Sequence, residues 1–298
     1  MKKRGFPFCT MSDRIFLTID WTVIIAFAAV LVYPLLFVVI ASFSANPMVM
    51  SLAVVPERFS LIGYRTVFTY RDIWTSYGNS LLYMVFGTVI ALGLTICCAY
   101  PLSRRDLDGS WFFMCLCLIT MYFSGGLIPS YIAMRNYRLL DSVWAVVLPG
   151  AMSVYNMIVM RTYFQTEIPE SLLESAQLDG CGNIRFLAAI VLPLSLPILA
   201  VISLFYAVDL WNSYFTPMVY LNSRSKYPLS MILREVLISS SATQESMLGD
   251  IEASIAREAQ SNVMRYAVIV VASLPVLMIY PFIQKYFVKG MMIGAIKG

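Results

Sequence analysis

Residues 169–197 read PESLLESAQLDGCGNIRFLAAIVLPLSLP, a charged, helix-favouring segment between two long apolar stretches. Pro169 suits the first turn of a helix, and Glu170 lies where the positive end of the helix favours an acid. Gly180 is the residue type that most often ends a helix. We therefore predict a short helix over residues 169–179, and a second helical stretch that leads directly into a membrane span.

The predicted short helix is amphipathic but too polar to cross a membrane. At about 100° per residue its apolar and small residues fall within about 100° of arc, and Glu174 lies roughly opposite them. A helix of about ten residues is marginal in water, so packing must hold it. The small residues Ser175, Ala176 and Gly180 would let it lie close in a groove of another protein. This element predicts a partner outside the bilayer.

The composition places the chain among membrane proteins. Hydrophobic residues make up 59% of its 298 residues and charged residues 13%, whereas a water-soluble domain carries roughly a quarter charged residues. The net charge of +4 is spread along the chain and forms no basic tract that could bind nucleic acid. The six cysteines do not suggest a disulfide framework, and without histidine their spacings fit no zinc site. We expect no metal site.

The sequence also lacks the motifs of catalysis. It contains no HExxH, no nucleophile–base arrangement and no GxxxxGK[ST] loop that would cradle phosphates. We therefore predict no catalytic residue, no cofactor and no nucleotide site in this chain. An intramembrane enzyme is accordingly disfavoured.

The apolar runs predict an all-α membrane protein. The first, Trp21 to Ile40, exceeds the roughly 7–15 residues of a signal-peptide core and matches the about 20 that a span needs. Backbone groups in hydrocarbon must be paired internally, so these runs form helices. The six predicted spans are 21–43, 79–101, 111–133, 142–163, 187–215 and 265–287. Expected kinks lie at Pro34, Pro193, Pro197, Pro275 and Pro281, and a break in the third span at Gly125, Gly126 and Pro129.

The predicted topology places both termini in the cytoplasm. Inner and outer segments hold nearly equal numbers of Lys and Arg, but the short segments that flank the spans favour this orientation. The predicted parts are a cytoplasmic segment at 1–20, a transmembrane domain at 21–287 with a cytoplasmic loop at 164–186 and an outer loop at 216–264, and a cytoplasmic tail at 288–298. The outer loop is either an ordinary surface excursion or a docking surface for a soluble partner.

The spacing within residues 174–193 resembles a known motif. The pattern E-S-A-x3-G-x9-I-x-L-P matches the EAA loop of ATP-binding-cassette (ABC) import permeases, with Ser175 as the one departure. Serine is still small, so close approach stays possible. Further segments resemble the oligosaccharide branch of that family, especially the second permease of alginate- and aldouronate-type importers, which is related to maltose-type permeases. They are Gly125–Pro129, Asn156–Phe164, Trp211–Phe215 and Gln284–Gly290.

The resemblance implies a six-helix half of a type I importer for an oligosaccharide. Such a subunit pairs with a second permease and with two ATPase subunits that bind ATP and Mg. An extracytoplasmic solute-binding protein delivers the sugar. The implied ATPase-coupling interface consists of Pro169, Leu172, Leu173, Glu174, Ser175, Ala176, Asp179 and Gly180.

A sugar pathway requires hydroxyl-pairing groups and aromatic faces. Polar residues within a bilayer usually face the helix bundle or a water-filled cavity. The candidates are Asp209, Trp211, Asn212 and Tyr214 in the fifth span, Asn79 and Ser80 in the second, and Tyr155 and Asn156 in the fourth. The alternative is that these side chains join helices by hydrogen bonds and that Asp209 lies at the lipid–water boundary.

Other transport functions remain open from the sequence. A secondary transporter also has several spans, but it often uses buried carboxylates or histidines as ion relays, and this chain has no histidine. An ABC permease for a solute other than a sugar is a second alternative. A third is a sensor or scaffold that binds a cytoplasmic partner, which the six predicted spans make less favourable.

Overall fold

The computed structural model describes residues 11–44, 59–242, 264–278 and 281, with only the backbone described for 12, 14 and 237–242. In these ranges the chain is all-helical, apart from one isolated antiparallel bridge between Ser44 and Phe59. The predicted all-α class is therefore confirmed for the described residues.

The described residues fall into two compact units: those up to 69 with those of 236–271, and those of 70–235 with those after 271. In chain order the described helices are α1 (Met11–Ser42), α2 (Ile62–Thr69), α3 (Arg71–Ser103), α4 (Ser110–Tyr122), α5 (Leu127–Asn136), α6 (Val143–Val147), α7 (Val154–Glu167), α8 (Glu170–Leu178), α9 (Asn183–Phe186), α10 (Leu192–Leu194), α11 (Leu196–Asn212), α12 (Phe215–Tyr220), α13 (Leu229–Ala242) and α14 (Met264–Met278). A π-helical turn, Leu187–Val191, joins α9 to α10.

Helix α1 of the smaller unit is an apolar rod with an uncovered surface. Its described side chains from Ile15 to Leu36 are all exposed, as suits contact with hydrocarbon. The helix begins at Met11, ten residues before the predicted start of the first span at position 21. Only its last turns are covered, where the hydroxyls of Ser42 and Tyr64 lie 2.7 Å apart.

Helix α3 contains the whole of the predicted second span. It has 33 residues, so it is about 50 Å long, whereas the hydrocarbon core is about 30 Å thick. Together, α1 and α3 are the two described helices that are long and apolar enough to cross a membrane alone.

The next three predicted spans are bent pairs of helices. The chain bends by 109° between α4 and α5, by 56° between Val143–Gly150 and α7, and by 84° between Asn183–Leu194 and α11. Counting each pair as one span gives up to five spans among the described residues. A break in 111–133 and kinks in 187–215 are expected from the sequence, whereas the bend within 142–163 is not. Of the sixth predicted span, α14 is described and 279–280 and 282–287 lie outside the described residues.

Glycine and proline account for two of the bends. The expected break in the third span is confirmed at residues 123–126, where Gly126 has a φ of 83° that other residues rarely adopt. In the fifth, Ser195 lies between Pro193 and Pro197, whose rings disrupt the helical hydrogen-bond ladder.

The core of the larger unit forms where α3 packs against α7 and α11. Buried residues from these helices meet others from α8, α9 and the π turn. They are Ala91, Ala99, Tyr100, Leu102, Met157, Met160, Phe164, Ala176, Phe186, Val191, Ile198, Ile202 and Tyr206. A hydroxyl pair lies inside this core, since Thr95 and Tyr206 are 2.7 Å apart and Tyr206 also accepts the Ser153 N–H at 3.0 Å.

Candidate coupling surface

Helix α8 is the short helix that the sequence predicts. It spans Glu170–Leu178, and Pro169 lies at its N-cap, one position before the predicted first turn. Gly180 has a φ of 74°, and its N–H donates to Gln177 at 3.0 Å while the Cys181 N–H donates to Ala176 at 2.8 Å. This pair of bonds is a Schellman termination, which requires a left-handed residue at the position that Gly180 occupies.

One face of α8 packs against the chain's own core. Ala176 is only 7% exposed and Leu173 is half-buried beside it, both within the core cluster of the larger unit. Ala176 is therefore covered by this chain's own core, whereas half-buried Leu173 also lines an open cleft beside α8. The ATPase contact of these two residues stays a prediction. Glu174, Ser175 and Asp179 are exposed.

The exposed face of α8 carries apolar side chains as well as charge. Leu172 is 39% exposed and Leu178 is 89% exposed. We call Leu172, Glu174, Ser175, Leu178 and Asp179 the coupling face.

A salt bridge connects α8 to the segment after α3, next to a largely buried arginine. Glu170 pairs with Arg105 at 2.9 Å, a largely exposed contact. Next to it, Arg104 is only 11% exposed and is bound by both carboxylate oxygens of Asp106, at 2.9 and 2.6 Å. The bond to Asp106 raises the pKa of Arg104, and the same bond lowers the pKa of Asp106. Arg104 also donates to the Tyr100 hydroxyl at 3.2 Å.

Two clefts flank this arginine. The larger, of about 670 Å³, separates α8 from the ends of α3 and α7, and Glu170, Glu174 and Gln177 line it. The smaller, of about 450 Å³, lies on the side of α9, where Asn183 and Ile184 line it. Tyr100, Arg104 and Asp106 line both clefts and so form the wall between them.

Three of the predicted pathway residues hold the fold together. The Asn79 amide donates to the carbonyls of Ser225 and Tyr227, at 2.7 and 3.1 Å. The Ser80 hydroxyl accepts the Leu229 N–H at 2.8 Å. Trp211 is 6% exposed and its indole N–H donates to the Ala272 carbonyl at 3.2 Å. Buried Trp211 offers no open aromatic face to a sugar, which corrects that expectation.

The remaining candidates of the fifth span stay accessible. Asp209 and Asn212 are exposed and share a narrow face of α11 with Phe205, within about 60° of arc. The Tyr214 ring lies against Arg234, with 4.3 Å between the guanidinium carbon and the ring centroid. This arginine–aromatic contact occupies one side of the Tyr214 ring.

The two fourth-span candidates differ in exposure. Tyr155 is 59% exposed, whereas Asn156 is 7% exposed. Both belong to the first turn of α7, which the Ser153 hydroxyl caps by accepting the Asn156 N–H.

A polar network that sequence reasoning missed joins the α5–α6 connection to the segment after α12. One oxygen of Asp141 accepts the N–H groups of Asn222 and Ser223, at 3.1 and 2.9 Å. The other accepts the Ser223 hydroxyl at 2.6 Å and the Lys226 ammonium at 2.8 Å. Lys226, and after it Ser223, holds the pKa of the Asp141 carboxyl well below its ordinary range.

A second missed network lies beside the first. Arg224 binds Asp72 at 2.9 Å and Glu235 at 3.0 Å, and these partners raise its pKa above the ordinary value. Asp141 and Asp72 are 81 or more residues from their partners, so no local pattern marks those contacts. Arg224 and Glu235 are 11 residues apart. The positive φ of Asp141, 54°, is visible only in the folded chain.

Within the described ranges no group of three or more His, Cys, Asp or Glu side chains could hold a metal ion. No family model matches the chain.

Comparison with known proteins finds full-length relatives. The chain is 42% identical over 290 residues to the polygalacturonan/rhamnogalacturonan transport system permease protein YtcP of Bacillus subtilis, covering 97% of this chain and 100% of YtcP. It is 38% identical to protein LplC of the same organism, covering 97% of each. The arabinooligosaccharides transport system permease protein AraQ of Halalkalibacterium halodurans is 27% identical over 94% of this chain and 97% of AraQ.

A solved structure shares the fold. It is a chain of a bacterial ABC transporter involved in the import of the acidic polysaccharide alginate, with a TM-score of 0.84 and 31% sequence identity. The match covers 95% of this chain and 100% of that chain.

Proposed function

The chain belongs to the permease subunits of carbohydrate ABC importers, and we propose that it imports an oligosaccharide with α8 as its coupling helix. Members of this family are transport subunits, and ATP hydrolysis belongs to a separate subunit. The observation that carries the proposal is the two-faced α8. Ala176 anchors it to the core, and Leu172, Glu174 and Leu178 stay exposed.

In the proposed assembly, the coupling face seats in a cleft of an ATPase subunit. Glu174 meets a basic residue there, and Leu172 and Leu178 supply apolar contact. ATP-driven closure of two ATPases draws this coupling helix toward that of a second permease and opens the pathway outward. Hydrolysis of ATP returns the pathway to its inward-facing state. ATP and Mg bind the ATPase subunits.

In the proposed topology the chain lies in the plasma membrane. Both terminal segments, residues 1–20 and 288–298, are in the cytoplasm. The loop that carries α8 then faces the cytoplasm, and the networks of Asp141 and Arg224 face outward. An extracytoplasmic binding protein delivers the sugar to that outer side.

The proposed cargo is an acidic oligosaccharide. YtcP is described for polygalacturonan and rhamnogalacturonan, and the solved importer takes up the acidic polysaccharide alginate. Along the proposed pathway, Asp209 and Asn212 offer hydroxyl-pairing groups. Arg135 and Arg138 are exposed and make no salt bridge among the described residues, so they can meet sugar carboxylates.

The test of the coupling role is Gly180→Trp. At a φ of 74° and with nothing near its Cβ position, Gly180 gives α8 room against a partner, which an indole removes. We expect the variant to insert in the membrane but to lose sugar uptake in the complete complex. Gly109→Trp is the matched control, because Gly109 has a φ of 75° and equally open surroundings. Normal uptake by Gly180→Trp would rule out close docking at this point.

A further inference from the structure

The fifth span contains an elbow that α3 bridges. The elbow lies at Ser195, where the helices on either side meet at 84°. In the half of the span before the bend, which follows α8, the Tyr100 hydroxyl donates to the carbonyl of Asn183 at 3.4 Å. Asn183 is the first residue of α9. In the half after the bend, the hydroxyl of Tyr206 on α11 lies 2.7 Å from the hydroxyl of Thr95 on α3. Each half of the span is thus bonded to α3 separately.

The two bonds lie close together on α3. Positions 95 and 100 are five residues apart, which is about 7.5 Å along a helix. A change of bend at Ser195 therefore must either break one bond or move α3 with the helices. The bend of the fifth span and the position of α3 are mechanically linked.

The two bonds differ in strength. Thr95 and Tyr206 are 0% and 4% exposed, and a short hydrogen bond between buried groups is costly to break. The bond of Tyr100 to Asn183 is at the long limit for a hydrogen bond and lies between clefts of about 670 and 450 Å³. These clefts give α8 and α9 space to move, so the Tyr100 bond is the one that changes first.

The elbow itself carries an unsatisfied group. The Ser195 hydroxyl is fully buried and has no hydrogen-bond partner within the described part of the chain. A buried unpaired hydroxyl costs free energy, and a different bend that frees a nearby carbonyl would supply its partner. The Ser195 N–H is already shared between the carbonyls of Val191 and Leu192.

We propose that Tyr100 is a positioning residue of the transport cycle. Its hydroxyl joins α9 to α3 through a weak bond, and release of this bond when α8 is displaced lets the bend of the fifth span change. Arg104, held by Asp106, orients the Tyr100 hydroxyl from the opposite side. This proposal rests on the coupling role proposed for α8. It makes α3, in addition to the fifth span, a receiver of the movement.

The test is Tyr100→Phe, which keeps the ring in the core and removes only the hydroxyl. The complete complex with its binding protein is placed in liposomes, and sugar uptake and ATP hydrolysis are measured together. We expect hydrolysis to continue and uptake per ATP to fall about fivefold, the scale of one lost hydrogen bond. Arg104→Lys should lower the same ratio, because a lysine cannot bind Asp106 at two points and Tyr100 as well.

The matched control is Tyr64→Phe, which removes a hydroxyl that lies 2.7 Å from the Ser42 hydroxyl in the smaller unit. Its uptake per ATP should equal that of the unchanged protein. An unchanged ratio in Tyr100→Phe, with Gly180→Trp inactive, overturns the role of Tyr100 and leaves the coupling role intact. An active Gly180→Trp overturns the coupling role itself.

Discussion

At the scale of single residues, different side chains of the nine-residue helix α8 anchor it to the core and remain exposed for a partner. Ala176 is buried, two residues from exposed Glu174, so a small residue anchors the helix and an acid remains for a partner. Gly180 ends the helix in a conformation that a side chain would strain.

Glu174→Lys should weaken the proposed joint with the ATPase. Loss of one partner of an interface charge pair costs more than about 1.4 kcal/mol, so we expect stimulation of ATP hydrolysis by sugar-loaded binding protein to fall about tenfold. Asp108→Lys is the control, since Asp108 is an exposed acid outside α8. Equal stimulation in both variants would mean that Glu174 meets no charge.

Asp141 should stabilise the fold down to acidic pH. Its pKa in the folded chain is lower than in the unfolded chain, so its contribution is fully present above the unfolded pKa of about 3.9 and is lost as pH falls through the folded pKa. Asp141→Asn should lower Tm by about 2–4 °C near neutral pH, and the difference should shrink below about pH 4.

The measurement for Asp141 is thermal unfolding in detergent from about pH 3 to pH 8. Asp72→Asn serves as control, because its salt bridge with Arg224 is largely exposed and contributes little. A Tm difference for Asp141→Asn that grows on acidification would contradict the assigned ion pair with Lys226.

At the scale of elements, α3 is the helix around which the larger unit packs. It lies close to α11 at Gly87, where a Cβ atom would lie 2.6 Å from Leu210 Cδ1. Small residues allow such close contact between membrane helices. The bent pairs around α3 have breaks at Gly126 and Ser195, whereas α3 continues unbroken for 33 residues.

Gly87→Ala should destabilise the contact between α3 and α11 by about 1 kcal/mol, because the added methyl displaces Leu210. A second change, Leu210→Ala, removes the clash. The decrease in Tm of the double variant should therefore be smaller than the sum of the decreases in the two single variants. Gly93→Ala on the same helix is the control, since nothing lies within 4 Å of its Cβ position. Strict additivity would show that Leu210 adjusts without cost.

At the scale of the whole molecule, the chain is a permease subunit of a transporter that has further subunits. It matches a 31% identical importer chain over 95% of its own length and belongs to a family whose members are permease subunits. The exposed apolar surfaces of α1 and the coupling face are therefore expected to contact lipid and protein partners respectively.

Uptake by this protein should depend on its ATPase. Membrane vesicles that contain the permeases and binding protein but no ATPase should take up no sugar, and adding the ATPase should restore uptake. Vesicles with an ATPase variant that cannot hydrolyse ATP provide the control. Uptake that persists without the ATPase would favour the alternative of a secondary transporter.

The sequence alone determined the class of this protein and the position of its short helix. Composition and the length of the apolar runs indicate that the chain lies in lipid and not in water. The pattern from Pro169 to Gly180 indicates where the backbone favours a helix and where it ends. These are local or additive properties, so they can be read without the fold. The same holds for the family resemblance through Glu174, Ser175, Ala176 and Gly180.

Only the tertiary structure decided which side chains are free to function. Trp211 and Asn79 look like sugar contacts in the sequence, yet their hydrogen bonds join distant segments, and Ala176 points into the core. The 84° elbow and the pairing of Asp141 with Lys226 likewise depend on contacts between segments far apart in the chain. Such contacts form only when helices pack, because burial and pairing are properties of neighbours in space.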